Sequence, residues 1–135
     1  LLECLILKEK LSLKQQLLKE KTFKLNFKKH LLLFLWGTIG LLAVRDSKGN
    51  IKVVINTCQS CEGSPSAYFV QIGDEIQCQN CKSTFAIDDL DNVVENGCNP
   101  ILIKDKQTKD GIITIGTKQL NNLKDKFANW EGPKV

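Results

Sequence analysis

The sequence predicts a mainly β (α+β) fold, a small β-hairpin-rich domain with an N-terminal and a C-terminal helix. Two C-x-x-C pairs, Cys58/Cys61 and Cys78/Cys81, are separated by sixteen residues, which is typical of the two metal-binding knuckles in zinc-ribbon-like domains. Short β-branched runs bounded by turn residues surround both pairs. With 135 residues, the chain has room for one modest domain and an appended segment, but not for two independent cores.

Residues 1–30 form a basic arm that contains eight Lys and three Glu. Leu13, Leu17 and residues 23–27 recur at roughly helical spacing among these lysines, which predicts a basic amphipathic helix. The chain starts with Leu and contains no Met, so we expect its natural start to be missing or to be a non-AUG codon. Cys4 lies in this arm, and we interpret it as incidental.

An apolar segment follows at residues 31–44, fourteen residues without a charge. A membrane-spanning helix needs about 20 apolar residues, whereas the apolar core of a signal peptide needs about 7–15. The preceding arm is long for a signal peptide and no small-x-small cleavage site follows, so an uncleaved membrane anchor is one interpretation. In the alternative, residues 39–44 are a buried strand and the earlier leucines belong to a core helix.

Residues 45–135 are assigned to a cysteine-rich metal-binding domain whose first element is a hairpin. Residues 46–50 (DSKGN) are a turn cluster, and Ile51–Ile55 is a β-rich run directly after it. This hairpin delivers the chain to Cys58.

A second predicted hairpin delivers the chain to the other cysteine pair. Residues 67–72 are an apolar run, Gly73 and Asp74 make a turn, and the returning strand ends at Cys78. Residues 83–87 (STFAI) resemble a short strand that leaves this pair.

Towards its C-terminus the chain shows a Lys-rich loop, a further strand and a helix. The loop covers residues 104–110 and the strand residues 112–115. Four apolar residues then fall on one helical face, which predicts core packing rather than a binding motif: Leu120, Leu123, Phe127 and Trp130.

The four paired cysteines predict a metal site made of four thiolates. Such a site suits zinc, or iron in iron-sulfur form, and disfavours magnesium and calcium. Spacing alone leaves three interpretations open: a closed structural zinc site, an iron-sulfur or redox-active iron site, and redox dithiols or disulfides. A fifth cysteine, Cys98, lies in the turn-forming sequence NGCNP. It is a candidate ligand, a redox partner for one of the pairs, or an incidental thiol.

Charge excludes nucleic acid as a partner of the cysteine region. Residues 57–100 contain Lys82 as their single basic residue against seven acidic ones, and phosphate backbones are bound by clustered Lys and Arg. Metal cations would instead be attracted. The only histidine, His30, excludes a histidine-based triad and a multi-histidine metal site.

Several motifs follow one another along the cysteine-rich part of the chain: AVRDSKGNIKVVINTCQSC (43–61), the following Tyr68, IGDEIQCQNC (72–81), Phe85 of STF, and NGCNPILI (96–103). Together these motifs resemble one family, the FtrD-like membrane iron-sulfur proteins found with bacterial ferrous-iron permease systems. The resemblance covers about residues 43–103, and the chain departs from the family at two places where glycine is common, Asn96 and Lys82.

The resemblance implies a membrane-associated protein of bacterial iron uptake, with the cysteine domain on the extracytoplasmic face. It implies an iron-sulfur cluster or iron, with zinc as the alternative cofactor, and a redox or electron-transfer role beside an iron permease rather than enzymatic catalysis. The metal ligands that carry over from the family are Cys58, Cys61, Cys78, Cys81 and Cys98. Two other functions stay open: a structural zinc-ribbon module that binds a partner protein, and a thiol-disulfide oxidoreductase.

Overall fold

A computed structural model describes residues 22–26, 31–36, 38–95 and 97–133 of the chain. These residues form ten β-strands in three antiparallel sheets, joined by short helices. The mainly β prediction is therefore confirmed. The strands are β1 (Thr22–Asn26), β2 (Leu31–Trp36), β3 (Ile39–Arg45), β4 (Ile51–Ile55), β5 (Phe69–Ile72), β6 (Glu75–Cys78), β7 (Thr84–Ala86), β8 (Ile101–Leu102), β9 (Lys106–Lys109) and β10 (Ile112–Gly116).

The central sheet has the order β2-β3-β4-β8 and separates two apolar cores. Side chains of a strand alternate between its two faces. Odd-numbered residues of β3 and β4, such as Leu41 and Val53, pack into the first core. Even-numbered residues, such as Leu42 and Val54, pack into the second. Because both faces are covered, every residue from 39 to 44 is buried.

The sheet β1-β10-β9 covers the first core through Ile113 and Ile115 of β10. Its β9–β10 hairpin turns at Asp110 and Gly111, which both have positive φ, as a two-residue hairpin turn requires. The prediction of a loop at residues 104–110 is wrong for β9. This edge strand consists of Lys, Gln and Thr. Polar side chains are usual on edge strands, and their sequence cannot be told from that of a polar loop.

The sheet β5-β6-β7 covers the second core and carries the second cysteine pair. Phe69 and Ile76 are fully buried there, and Phe69 lies opposite Cys78 in the register of β5 and β6. The two predicted hairpins, β3–β4 and β5–β6, are both present. They bring the chain to the cysteine pairs from opposite sides of the second core.

The predicted N-terminal helix is wrong where the structure describes it. Residues Thr22–Asn26 pair with Ile112–Gly116 as an antiparallel strand, and hydrogen bonding to β10 outweighs the helical spacing of their apolar side chains. The rest of the basic arm, residues 1–21 and 27–30, lies outside the described residues.

The apolar segment 31–44 forms a hairpin of β2 and β3. The strand alternative thus describes residues 39–44, whereas the core helix expected from the earlier leucines is wrong, since Leu31–Trp36 is a strand. Among the described residues, no helix has the length and apolar character needed to cross a membrane.

The C-terminal helix is shorter than predicted. An α-helix, α1, covers Lys118–Asn122, and a 3₁₀ helix covers Lys124–Phe127. Leu123 between them donates its N–H to the Leu120 carbonyl at 3.1 Å, three residues back, which tightens the chain and ends α1. The predicted packing is confirmed because the four apolar side chains all join the first core: Leu120, Leu123, Phe127 and Trp130.

Candidate metal centre

The four cysteines of the two C-x-x-C pairs converge on one point. The Sγ atoms of Cys58, Cys61, Cys78 and Cys81 all lie within 4.8 Å of one another. Cys58 and Cys78 are buried in the second core, Cys61 is half-buried and Cys81 is exposed. The site therefore has an inner side that is part of the fold and an outer edge at the surface.

The first knuckle is a tight turn at the end of β4. Gln59–Cys61 forms one turn of 3₁₀ helix, in which the Cys61 N–H donates to the Cys58 carbonyl at 3.2 Å. The Cys58 N–H donates to the Ala67 carbonyl at 3.1 Å, which ties the knuckle to the approach to β5. Both sulfur atoms of the pair are thus directed to the same side.

The second knuckle is a turn after β6 that uses a left-handed residue. The Lys82 N–H donates to the Cys78 carbonyl at 2.9 Å, and the Cys78 N–H donates to the Ser83 carbonyl at 3.0 Å. Lys82 has a φ of +64°, a conformation that glycine adopts without steric cost. Lys82 therefore occupies a backbone position that favours glycine.

Asn80, inside the second pair, connects the two knuckles. Its Oδ1 accepts hydrogen bonds from the hydroxyls of Ser64 at 2.8 Å and Ser66 at 3.1 Å. Both serines follow the first pair. The side chain therefore fixes the position of one knuckle relative to the other before a metal ion is bound.

Burial and hydrogen bonding make the four thiols unequal. Burial, together with the nearby Cys78, raises the pKa of Cys58 to about 12, and burial also raises the pKa of Cys78. The small buried part of Cys81 raises the pKa of its thiol. Hydrogen bonds from Ser83 and from the Cys78 and Cys61 thiols outweigh this effect and lower the pKa to about 6. A metal cation bound at the site would displace the protons of these thiols, because metal-bound cysteines must be thiolates.

Cys98 lies beside the four-cysteine group and contacts it through a serine. The Ser60 Oγ is 3.0 Å from the Cys98 Sγ, 3.4 Å from the Cys58 Sγ and 3.9 Å from the Cys61 Sγ. The Cys98 side chain is exposed, and its sulfur is not one of the four that converge. Its role as a ligand stays a prediction.

Gln59 holds the loop that carries Cys98. Its Nε2 donates to the carbonyls of Val94 at 3.1 Å and Pro100 at 3.0 Å, and its backbone N–H donates to the Asn99 carbonyl at 3.0 Å. The Asn99 Nδ2 also donates to the Val94 carbonyl. The residues between Cys58 and Cys61 thus place Cys98 next to the site.

Sequence comparison identifies the family. Residues 30–127 match the family described as membrane iron-sulfur containing protein, FtrD-like. The match covers well over half of the 135 residues. The chain belongs to the FtrD-like family. No curated protein and no solved structure matches the sequence.

The FtrD-like match is longer than the stretch of motifs at residues 43–103. It begins before the apolar segment 31–44 and continues through α1. The hairpin of β2 and β3 is therefore part of the family's domain. The family description supports an iron-sulfur protein of the membrane, and the four converging thiols are a donor set that fits iron.

Sequence reasoning found the four converging cysteines but missed the polar residues that support them. Ser60, Gln59 and Asn80 are small or medium polar residues inside the C-x-x-C pairs. Their partners lie 14 to 41 residues away in the chain. No local pattern signals such distant contacts.

Proposed function

We propose that this FtrD-like protein holds a redox-active iron centre at Cys58, Cys61, Cys78 and Cys81 and transfers electrons in bacterial iron uptake. The observation that carries the proposal is the convergence of the four sulfur atoms within 4.8 Å. The family description, a membrane iron-sulfur protein, supports iron over other metals. Iron held by thiolates can take up and release one electron. The residues of this chain fix the position of the iron and decide how closely a redox partner can approach it.

The burial of the site supports electron transfer at a surface edge. Cys58 and Cys78 hold the inner side in a water-excluded core, while Cys81 and Cys61 reach the surface. An iron-permease component or another redox protein of the same membrane could approach this edge. We further propose that the site lies on the extracytoplasmic side of the membrane, the side from which iron is taken up.

A structural zinc site is the second candidate, and one observation favours it. Cys58 and Cys78 belong to the core that joins β3 and β4 to the sheet β5-β6-β7. Any ion bound there would cross-link two layers of the fold, as zinc does in ribbon domains. On this hypothesis the protein would bind a partner without redox chemistry.

A thiol-disulfide oxidoreductase needs an exposed cysteine with a lowered pKa. In the metal-free protein Cys81 has both features, because it is exposed and hydrogen bonds from Ser83 help to lower its pKa to about 6. The convergence of all four thiols nonetheless favours a metal ion, since thiol-disulfide exchange requires only one pair.

The test is a redox titration of the full chain purified without oxygen. We expect reversible one-electron reduction of bound iron, which Cys81→Ser alters and Lys104→Ala, a change at a side chain that is 74% exposed, leaves intact. In a bacterium whose own FtrD-like gene is deleted, the wild-type chain should restore ferrous-iron uptake and Cys81→Ala should not. A protein that contains zinc and shows no reversible reduction would overturn the proposal in favour of the structural candidate.

A further inference from the structure

We infer that the site binds a single iron ion in a tetrahedron of four thiolates, without inorganic sulfide. The inference rests on the proposed function and specifies the class of iron centre. It narrows the family description, since iron-sulfur proteins also include those with clusters of two or four irons bridged by sulfide.

The spacing of the sulfur atoms carries the inference. With a metal–sulfur bond of about 2.3 Å, four thiolates around one ion lie about 3.8 Å from each other. The four Sγ atoms already lie within 4.8 Å of one another, so closure around one ion needs shifts of about 1 Å or less. In a sulfide-bridged cluster the cysteines are divided among different irons and lie around the outside of the cluster. The distances between their sulfur atoms must then be longer.

The walls of the site limit its expansion. Cys58 and Cys78 have no exposed surface, and both are fixed by backbone hydrogen bonds to Ala67 and Ser83. Asn80 ties the second knuckle to the loop after the first through Ser64 and Ser66. Moving the knuckles apart to admit several irons and sulfides would break the Asn80 hydrogen bonds to Ser64 and Ser66 and would open the second core.

Cys98 stays outside a centre of this kind. Four thiolates complete the coordination of a tetrahedral ion, and the Cys98 sulfur contacts the Ser60 hydroxyl, which also contacts the Cys58 and Cys61 sulfurs. The inference therefore predicts that Cys98→Ser keeps the same metal stoichiometry and the same set of four ligands.

The test measures iron, zinc and acid-labile sulfide in full chain purified without oxygen, and then titrates the metal-free, reduced protein with Co²⁺. We expect one iron per chain with no sulfide, and visible Co²⁺ bands that saturate at one equivalent. Wild type and Cys98→Ser should give the same bands, whereas Cys81→Ser should shift them because one thiolate is lost.

The outcomes separate this inference from the proposed function. Iron accompanied by an equal amount of sulfide, or Co²⁺ bands that saturate only at two or more equivalents, would overturn the single-ion centre and leave the redox iron proposal standing. Altered bands in Cys98→Ser would also overturn it, since a fifth thiol would then be a ligand. Zinc without iron would overturn the redox proposal, and the single-iron inference with it.

Discussion

Asn56 joins the central sheet to the sheet β5-β6-β7 by two hydrogen bonds to Phe69. The Phe69 N–H donates to the Asn56 Oδ1 at 2.7 Å, and the Asn56 Nδ2 lies 3.4 Å from the Phe69 carbonyl. Asn56 is 1% exposed and lies two residues before Cys58. Its amide continues the strand pairing where the backbone of β4 has turned towards the metal centre.

The loss of this amide should destabilise the fold. Asn56→Leu keeps a similar volume but leaves the buried N–H of Phe69 without an acceptor, which costs about 1–3 kcal/mol. Chemical unfolding of the reduced protein should show this decrease in the free energy of unfolding. Gln71→Ala on β5 is the matched control, because it removes an exposed side-chain hydrogen bond and should change stability by less than about 0.5 kcal/mol. Equal stability of Asn56→Leu and wild type would contradict this role.

Alkylation of the metal-free protein should select Cys81 over the buried pair. The thiolate is the reactive form, and the pKa of Cys81 is lowered to about 6, so its reaction with iodoacetamide should be near its maximum at neutral pH and fall by half near pH 6. Cys58 and Cys78 should react slowly because they are buried with raised pKa values. Mass spectrometry of labelled peptides gives the rates.

Two changes test the cause of that pH dependence. Ser83→Ala removes one hydrogen bond that lowers the Cys81 pKa, so the midpoint of the rate should move to higher pH. Binding of a metal ion should protect Cys81 at all pH values at which the ion stays bound. If the alkylation rate of wild-type Cys81 instead had its pH midpoint near 8.5, the usual pKa of a free thiol, the pKa of Cys81 would not be lowered.

Glycine at position 82 should stabilise the metal-loaded protein. A non-glycine residue in the left-handed region costs about 1–2 kcal/mol, and part of that gain is offset by about 0.5–1 kcal/mol because glycine makes the unfolded chain more flexible. The net effect of Lys82→Gly should be a gain of about 0.5–1 kcal/mol, together with slower loss of metal to a chelator.

A matched change lies far from the metal. Asp110 also has a positive φ, in the β9–β10 turn, so Asp110→Gly should raise stability similarly without changing the rate of metal loss. Lys82→Val should destabilise the protein, because a β-branched residue fits this conformation poorly. Faster metal loss from Lys82→Gly would contradict the strain argument.

Gly40 leaves the space that Trp130 occupies. A Cβ added at Gly40 would lie 2.3 Å from the Cη2 atom of Trp130, and Trp130 is held by edge contacts with Phe127 and Tyr68 at centroid distances of 5.2 and 6.3 Å. Gly40→Ala should therefore cost about 1–3 kcal/mol from overpacking. In a Trp130→Ala background most of this cost should disappear. An equal cost in both backgrounds, measured by chemical unfolding, would exclude this contact as the cause.

The strands and the four-cysteine group could be predicted because their signals are local. The spacing within each C-x-x-C pair and the turn residues of the two hairpins lie within a few residues of one another. The apolar segment 31–44 was ambiguous for a physical reason. A strand covered on both faces loses the alternation of polar and apolar residues, so β3 has the composition of a membrane segment.

The parts that could not be predicted depend on distant contacts. The strand at Thr22–Asn26 forms because β10, about 90 residues later, offers a free edge, and its own residues give helical spacing. The position of Cys98 beside the site depends on Ser60 and Gln59, 38 and 41 residues away from their partners. Such pairings are decided by the tertiary fold and leave no periodic pattern in the sequence.

Metal analysis combined with visible absorption spectroscopy tests whether Cys58, Cys61, Cys78 and Cys81 hold iron for electron transfer. Full chain purified without oxygen should contain iron and absorb visible light, and reduction by dithionite should bleach this absorption reversibly. The iron and the absorption should be lost in Cys61→Ser/Cys81→Ser, whose substitutions avoid the two buried cysteines. One zinc per chain, with no iron and no visible absorption, would contradict an iron centre at these cysteines.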